Sequence, residues 1–196
     1  IMKKDFLRVA DYTREQIIEI LNLAIKLKKD YFSRGNEPIL KDKVLAMIFN
    51  KPSLRTRISF DMAMRHLGGD ALFISPNEIG LGKRESIADV ARVLSGYVQA
   101  IMARVFNFSH LIELAKWSSV PVINGLSDYN HPCQAMADLL TILEHFGKLK
   151  NINITFIGDG NNVAVSLMHA AAKVGANFTI ANPVDYDLPK NVIEEG

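Results

Sequence analysis

The alternation of short apolar runs with helical segments constrains the fold of this chain more than any other feature. Segments of strand length are separated by segments whose apolar residues recur at helical spacing. Such alternation favours right-handed β–α–β units and a mainly parallel sheet. The sequence therefore predicts an α/β fold with strands near 44–49, 71–74, 100–104, 121–123, 152–157 and 177–181, and helices near 13–33, 57–67, 86–94, 109–118, 133–146 and 163–174.

The segment at 147–151, Gly-Lys-Leu-Lys-Asn, lies between a long predicted helix and a new strand. We predict a domain boundary there. Residues 1–147 carry enough strands and helices for a complete domain. Residues 148–196 carry two strands and one full helix, which is too little for an independent α/β domain. We therefore expect two parallel-sheet α/β domains, the first complete and the second truncated.

Charge and cysteine content narrow the range of partners. The net charge of +2 over 196 residues does not favour binding to nucleic acid or to a membrane surface. The single cysteine, Cys133, cannot form an intrachain disulfide, which favours a reducing compartment. The first residues lack a secretory signal, and no apolar run reaches the roughly 18 residues of a membrane span. We expect a cytoplasmic protein.

The most informative segment is Lys51–Arg57, with the sequence K-P-S-L-R-T-R. It follows a predicted buried strand and precedes a helix, and such turns bind ligands in open α/β sheets. A helix N-terminus attracts anions, Ser53 and Thr56 add hydroxyl groups, and Arg55 adds a guanidinium that matches phosphate. Arg55 and Arg57 could also be solvated surface charges. Because cations are disfavoured at a helix start, a phosphate site is the preferred interpretation.

Two further positions carry polar groups at the ends of elements. Arg104 closes the apolar run A-I-M-A-R and could belong either to a site or to the surface. His131 and Gln134, in the motif H-P-C-Q, open a long helix and could bond a carbonyl oxygen and an amide nitrogen. Cys133 is a weak candidate for a nucleophile, with only His131 as a partner base. No second His or Cys lies at ligand spacing, so no metal site is predicted.

The run F-I-G-D-G-N-N-V, ending at Val163, is similar to a dinucleotide-binding turn. Val163 replaces its third glycine, and no acid closes the strand that ends near Ala181. A nucleotide-dependent oxidoreductase is therefore a minor alternative. We interpret Asn161 and Asn162 as hydrogen-bonding groups for a small ligand.

Taken together, the motifs P-S-L-R-T-R, H-P-C-Q and G-D-G-N-N, in this order and spacing, resemble the aspartate/ornithine carbamoyltransferase family and in particular its ornithine branch. The resemblance extends over the whole chain, including E-S-I-A-D-V-A-R-V-L and V-I-N-G-L-S-D. It implies transfer of the carbamoyl group from carbamoyl phosphate to the side-chain amine of L-ornithine, giving citrulline and phosphate in arginine biosynthesis. It also implies no metal, no cofactor, no covalent intermediate, and a homotrimer with shared active sites.

The resemblance assigns roles to individual residues. Those matching the carbamoyl phosphate site are Ser53, Leu54 (through its backbone), Arg55, Thr56, Arg104, His131 and Gln134. Among them, Arg104 and His131 match residues on the carbamoyl oxygen, and Gln134 matches the group that holds the carbamoyl nitrogen. Arg104, His131 and Thr56 are the expected catalytic residues. Asn162 matches the asparagine that binds ornithine.

The sequence departs from the family pattern in two places. In many relatives a Gln or His reaches the neighbouring subunit's site from the loop before E-S, but here that loop carries Gly80, Lys83 and Arg84. The family's later motifs, S-M-G and H-C-L-P, do not occur in these 196 residues. Two alternatives stay open: a carbamoyltransferase for another amine (putrescine, an acylated ornithine or aspartate), and a phosphate-binding module without turnover.

Overall fold

The computed structural model describes residues 4–195. It shows six strands and eight α-helices in this part of the chain, with a short 3-10 helix at Val9–Asp11. The strands are β1 (Val44–Phe49), β2 (Asp70–Ile74), β3 (Ala100–Arg104), β4 (Val122–Leu126), β5 (Asn153–Ile157) and β6 (Asn177–Ala181). The helices are α1 (Arg14–Ser33), α2 (Leu54–His66), α3 (Pro76–Ile79), α4 (Ile87–Ser95), α5 (Phe108–Trp117), α6 (Pro132–Phe146), α7 (Asn162–Val174) and α8 (Lys190–Glu195).

The chain divides into two compact units. The first unit comprises the chain up to Leu7 together with Lys29–Ser127. The second unit comprises Arg8–Lys28 and the chain from Asp128 onward. Helix α6 therefore belongs to the second unit by its contacts, although it precedes residue 147 in sequence. The domain boundary predicted at 147 stays a prediction.

The sheet of the first unit confirms the parallel α/β fold. Its strand order is β2-β1-β3-β4, and all three pairings are parallel. From β1 the chain moves outward to β2, then returns to β3 beside β1 and continues to β4 on the other side. The order therefore reverses between β1 and β3, and ligands bind at the carboxyl ends of strands at such a point.

Strand β1 is buried on both faces of this sheet. Ala46 and Ile48 pack with α4 and α5 on one face, in a core that includes Val90 and Leu111. Leu45, Met47 and Phe49 pack on the other face with Met102 and with two partly buried residues of α2, Phe60 and Met64. This two-sided burial explains why β1 is an uninterrupted apolar run in the sequence.

The N-terminal segment adds to the edge of this sheet beside β4. Phe6 forms a parallel bridge with Ile123, and its backbone N–H donates to the carbonyl of Val122 at 2.8 Å. The buried side chain of Asn124 donates to the carbonyl of Leu7 at 3.0 Å. Strand β4 runs to Leu126, three residues further than predicted, because these contacts and its pairing with β3 outweigh the Asn-Gly turn signal.

The second unit is built around a two-stranded parallel sheet of β5 and β6, in register from Asn153 with Asn177. Helix α7 packs against it with an almost continuously buried surface. Helix α1 begins with a capping box: the Thr13 N–H donates to Gln16 Oε1 at 3.1 Å, and the Gln16 N–H donates to Thr13 Oγ1 at 3.3 Å. Among residues 4–195, no helix has the combination of length and apolar character that crossing a bilayer requires.

Candidate active site

The turn after β1 is fixed to the end of β3. Strand β1 ends at Phe49 and α2 begins at Leu54, three residues before the predicted start. The backbone N–H groups of Asn50 and Lys51 both donate to the carbonyl oxygen of Arg104, at 2.9 and 3.4 Å. The segment K-P-S-L-R-T-R and the side chain that closes β3 therefore lie at the same edge of the sheet, at the point where the strand order reverses.

Three of the predicted site residues meet at the start of α2. Ser53 is the N-cap: its Oγ accepts the Thr56 N–H at 3.3 Å and donates to Thr56 Oγ1 at 3.0 Å. Arg104 Nη1 reaches the same Thr56 oxygen at 3.5 Å, the long end of hydrogen-bond distances. The structure thus brings together Ser53, Thr56 and Arg104, three of the residues that the family resemblance assigns to the carbamoyl phosphate site.

The charges at this place suit an anion. Arg55 is exposed in the first turn of α2, and Arg104 is partly buried. Burial, and secondarily the positive charge of Arg55, lower the pKa of Arg104 below its usual value. Arg104 Nε is buried and has no hydrogen-bond partner among the described residues. Two guanidinium groups that repel each other beside a helix N-terminus would both be stabilised by a bound dianion.

The second unit carries the motif H-P-C-Q at the start of α6. His131 occupies the N-cap position, and its N–H donates to Ser166 Oγ of α7 at 2.8 Å. Gln134 is exposed in the first turn and donates through Nε2 to Asp138 Oδ1 at 2.9 Å. His131 and Gln134 therefore lie one turn apart at one helix start. Buried Ser166 positions His131, and sequence reasoning missed it because it lies within an apolar helix without a motif.

The two asparagines at the start of α7 have different roles. Asn161 is the N-cap: its Oδ1 accepts the N–H groups of Val163 and Ala164 at 2.9 and 3.2 Å, and its Nδ2 donates to Asp159 at 2.8 Å. Asn161 was interpreted from the sequence as a ligand-binding group, but in the structure its side chain caps the N-terminus of α7. Asn162 is the first residue of the helix and remains the predicted ligand-binding residue.

The glycines before α7 serve the packing of the protein. The Gly160 N–H donates to the carbonyl of Tyr186 at 2.7 Å. A Cβ atom at Gly160 would lie 2.6 Å from backbone atoms of Asp187 and Leu188. Only glycine permits this close approach of two segments. Packing against Asp187 and Leu188 therefore explains why Gly160 is a glycine. The nucleotide-binding alternative, which rests on the G-D-G pattern, loses its main support.

Cys133 is not suited to be a nucleophile. The residue as a whole is partly exposed at the start of α6, but its thiol is enclosed by protein, and this burial raises the pKa of the thiol to about 12. The thiol is protonated at neutral pH, whereas the nucleophilic form is the thiolate. Within residues 4–195, no group of three His, Cys, Asp or Glu side chains is arranged to hold a metal ion.

Comparisons with known proteins give the class of this chain. Residues 4–144 match the family described as "Aspartate/ornithine carbamoyltransferase, carbamoyl-P binding domain", and residues 150–196 match the "Asp/Orn binding domain" of the same family. The chain therefore belongs to the aspartate/ornithine carbamoyltransferase family, as the sequence motifs predict.

The relatives found within this family are mainly named ornithine carbamoyltransferase. The protein of that name from Anoxybacillus flavithermus is 51% identical over 98% of this chain and 61% of its own length. The solved structure of the Pyrococcus furiosus ornithine carbamoyltransferase superposes with a TM-score of 0.96 at 49% identity, covering 98% of this chain and 61% of that one. The catalytic subunit of M. jannaschii aspartate transcarbamoylase superposes with a TM-score of 0.88 at 32% identity, covering 98% and 64%. The chain thus spans about three fifths of the length of the curated relatives it matches.

Proposed function

We propose that the protein carrying this chain transfers the carbamoyl group of carbamoyl phosphate to the side-chain amine of L-ornithine, giving citrulline and inorganic phosphate. The observation that carries the proposal is the start of α2, where Ser53, Thr56 and Arg104 meet beside the exposed Arg55. This arrangement offers hydroxyl groups, guanidinium groups and a helix N-terminus to one small dianion.

The phosphate of carbamoyl phosphate would bind at the first turn of α2. The first backbone N–H groups of a helix have no partner within the helix and face a ligand at its N-terminus, and those of Leu54 and Arg55 belong to this set. Ser53 and Thr56 add hydroxyl donors, and Arg55 adds a charged fork with the geometry of a phosphate edge. Binding here would orient the carbamoyl group before any chemistry occurs.

The catalytic step proposed is direct attack by the amine. The lone pair of the neutral amine forms a bond to the carbonyl carbon, and the C=O electrons move onto oxygen to give a tetrahedral oxyanion. The oxyanion then re-forms the C=O bond, and the bond between the carbonyl carbon and the bridging oxygen breaks. Inorganic phosphate leaves with that electron pair, and the nitrogen loses its proton to the departing phosphate or to water. Arg104, His131 and Thr56 are the groups proposed to stabilise the oxyanion, and Gln134 is proposed to hold the carbamoyl nitrogen.

Within the family, we propose that the amine substrate is ornithine and not aspartate. It is supported by the motif G-D-G-N-N, with Asn162 as the proposed ornithine ligand, and by relatives named for ornithine at about 50% identity against 32% for the one named for aspartate. Residues 1–147 would supply the carbamoyl phosphate domain and 148–196 the start of the ornithine domain, in line with the two family matches.

The compartment, the oligomeric state and the metabolic role are also proposed from the family resemblance. We infer a cytoplasmic homotrimer with shared active sites that acts in arginine biosynthesis. The single cysteine supports a cytoplasmic location, because it cannot form an intrachain disulfide and proteins of reducing compartments do not rely on disulfides. Sedimentation of the natural protein tests the trimer: a species of one subunit mass would contradict it.

The experiment that tests the function is an amine panel. The natural protein that carries these residues is incubated with carbamoyl phosphate and either ornithine, putrescine, N-acetylornithine or aspartate, and phosphate release and the carbamoylated product are measured. We expect citrulline from ornithine and at most traces of product from the other amines. Product from aspartate alone would replace the ornithine assignment, and phosphate binding without product from any amine would leave only a binding module.

A matched pair of variants locates the site in the same assay. Arg55→Ala should weaken carbamoyl phosphate binding by roughly 10- to 100-fold, since it removes a charge-assisted contact to phosphate. Arg65→Ala, which changes the same residue type in the last turn of α2 where it pairs with Asp61 at 2.8 Å, should bind like the parent. Equal binding by both variants would contradict the assignment of Arg55.

A further inference from the structure

The second arginine of the phosphate-binding segment makes a contact that none of the predicted site residues makes. The guanidinium carbon of Arg57 lies 4.1 Å from the centroid of the Phe73 ring, which belongs to β2. The Phe73 ring in turn packs against Phe49 at 5.3 Å between centroids, tilted by 38°. Arg57 thus stacks on Phe73, which is itself packed against Phe49, at the carboxyl end of the sheet.

This contact connects the phosphate-binding turn to the core. Phe49 is 2% exposed and is the last residue of β1, directly before the turn. The Arg57 N–H donates to the carbonyl of Ser53 at 3.2 Å and closes the first turn of α2. Phe49, Phe73 and Arg57 line a cleft of about 230 Å³ together with Ser53 and Leu54. The beginning of the turn is therefore fixed by Phe49, and its end by Arg57.

We propose that Arg57 is a positioning residue: through its stacking on Phe73 it holds residues 53–56 in the conformation that binds phosphate, without itself binding phosphate. A guanidinium group over an aromatic face is attracted by the negative charge of the ring face. Since a lysine cannot stack in the same planar way, the choice of arginine is explained by the ring. The inference rests on the proposed function, because it assumes that residues 53–56 bind the phosphate of carbamoyl phosphate.

A double-mutant cycle between Arg57 and Phe73 tests this directly. The dissociation constant of carbamoyl phosphate is measured calorimetrically in the natural protein and in its Arg57→Ala, Phe73→Leu and combined variants. Stacking of this kind predicts that each single change weakens binding by about three- to tenfold. The double variant should have about the same dissociation constant as whichever single variant binds less tightly. Phe73→Tyr keeps the ring and should bind like the parent, as should Arg65→Ala at the other end of the helix.

Steady-state kinetics give a second readout that a general loss of stability would not produce. Because the phosphate is bound by residues 53–56 in the substrate and the transition state alike, KM for carbamoyl phosphate should rise by the same factor. Any fall in kcat, which would come from a displaced Thr56, should be smaller than that rise. Circular dichroism establishes that each variant is folded. Arg57→Gln, which keeps a polar side chain of similar helix propensity but lacks the guanidinium group, replaces Arg57→Ala if the latter does not fold.

Two results would overturn the inference alone. If Arg57→Ala loses more than about 100-fold in affinity while Phe73→Leu binds normally, Arg57 is a direct phosphate ligand. If Arg57→Ala binds like the parent while Arg55→Ala does not, the stacking has no effect on the site. A parent protein that fails to bind carbamoyl phosphate would instead overturn the proposed function, and the inference with it.

Discussion

Removing the hydroxyl of Ser53 should weaken both the fold and phosphate binding, and two substitutions separate these effects. The Ser53 Oγ accepts the Thr56 N–H at 3.3 Å as the cap of α2, and it donates to Thr56 Oγ1 at 3.0 Å. In the proposed complex the same hydroxyl turns toward the phosphate. Alanine removes both functions at this position, whereas glycine removes the hydroxyl but remains an acceptable N-cap residue.

The two effects have different sizes. Replacing an N-cap serine by alanine costs about 1 kcal/mol of unfolding free energy, and replacing it by glycine costs a few tenths of a kcal/mol. A hydrogen bond to a charged phosphate oxygen is worth roughly 1.5–3 kcal/mol, which is roughly a 10- to 100-fold change in dissociation constant. Ser53→Ala should therefore lose stability and affinity, while Ser53→Gly should lose affinity with most of its stability retained.

Urea unfolding and calorimetric titration with carbamoyl phosphate measure the two quantities. Ser86 provides the control, because it caps α4 in the same way: its Oγ accepts the Asp89 N–H at 3.1 Å. Ser86→Ala should cost a similar amount of unfolding free energy and leave carbamoyl phosphate binding unchanged.

The affinity of Ser53→Gly shows whether the Ser53 hydroxyl contacts the phosphate. If Ser53→Gly binds carbamoyl phosphate as tightly as the parent, the hydroxyl does not contact the ligand and Ser53 is a cap only. If Ser53→Ala unfolds at the same urea concentration as the parent, the cap described here does not contribute to the fold.

Three further outcomes follow from the site and from two buried groups. Arg104→Ala and His131→Ala should each lower kcat by roughly 100- to 1000-fold with a smaller change in KM, and a dominant rise in KM would show that they act in ground-state binding. Cys133, whose pKa burial raises to about 12, should react with iodoacetamide at pH 8 roughly a thousandfold more slowly than the thiol of the urea-unfolded chain; comparable rates would contradict the burial. Burial outweighs nearby Glu195 and lowers the pKa of His169, so the unfolding free energy should fall as the pH drops below about 6.5 and hold above it. His169→Gln should reduce that dependence in urea titrations at several pH values, and an unchanged dependence would show that another group is responsible.

The elements that could be predicted from the sequence are those whose burial determines their composition. Strand β1 runs from Val44 to Phe49, as predicted, because both of its faces are covered and every position is apolar. The cap of α4 has a local signal in the sequence, because Ser86 is followed three residues later by Asp89, whose N–H it accepts. Of the site, the grouping of Ser53, Thr56 and Arg104 was implied by the family resemblance, because the residues themselves left Arg104 open between a site and the surface.

The features that could not be predicted depend on contacts between distant parts of the chain. Nothing near Phe6 indicates that it pairs with Ile123, and nothing near Gly125 indicates that β4 continues through it beneath Met102. The stacking of Arg57 on Phe73 likewise requires knowledge of the register between β1 and β2. Helix α3 was missed although its signal is present, a capping box from Ser75 to Glu78 with Pro76 between them.

Gly160 shows how a motif can mislead a search that looks only at sequence patterns. A scan for dinucleotide fingerprints stops at G-D-G, but the amide of Gly160 is committed to Tyr186, and the backbone of Asp187 and Leu188 occupies the space beside its Cα. The substitution Val163→Gly would complete the sequence pattern, but the backbone of Asp187 and Leu188 would still occupy the space beside Gly160. A G-x-G match therefore indicates a nucleotide site only when the space beside its second glycine is open, and in this chain the backbone of Asp187 and Leu188 fills that space.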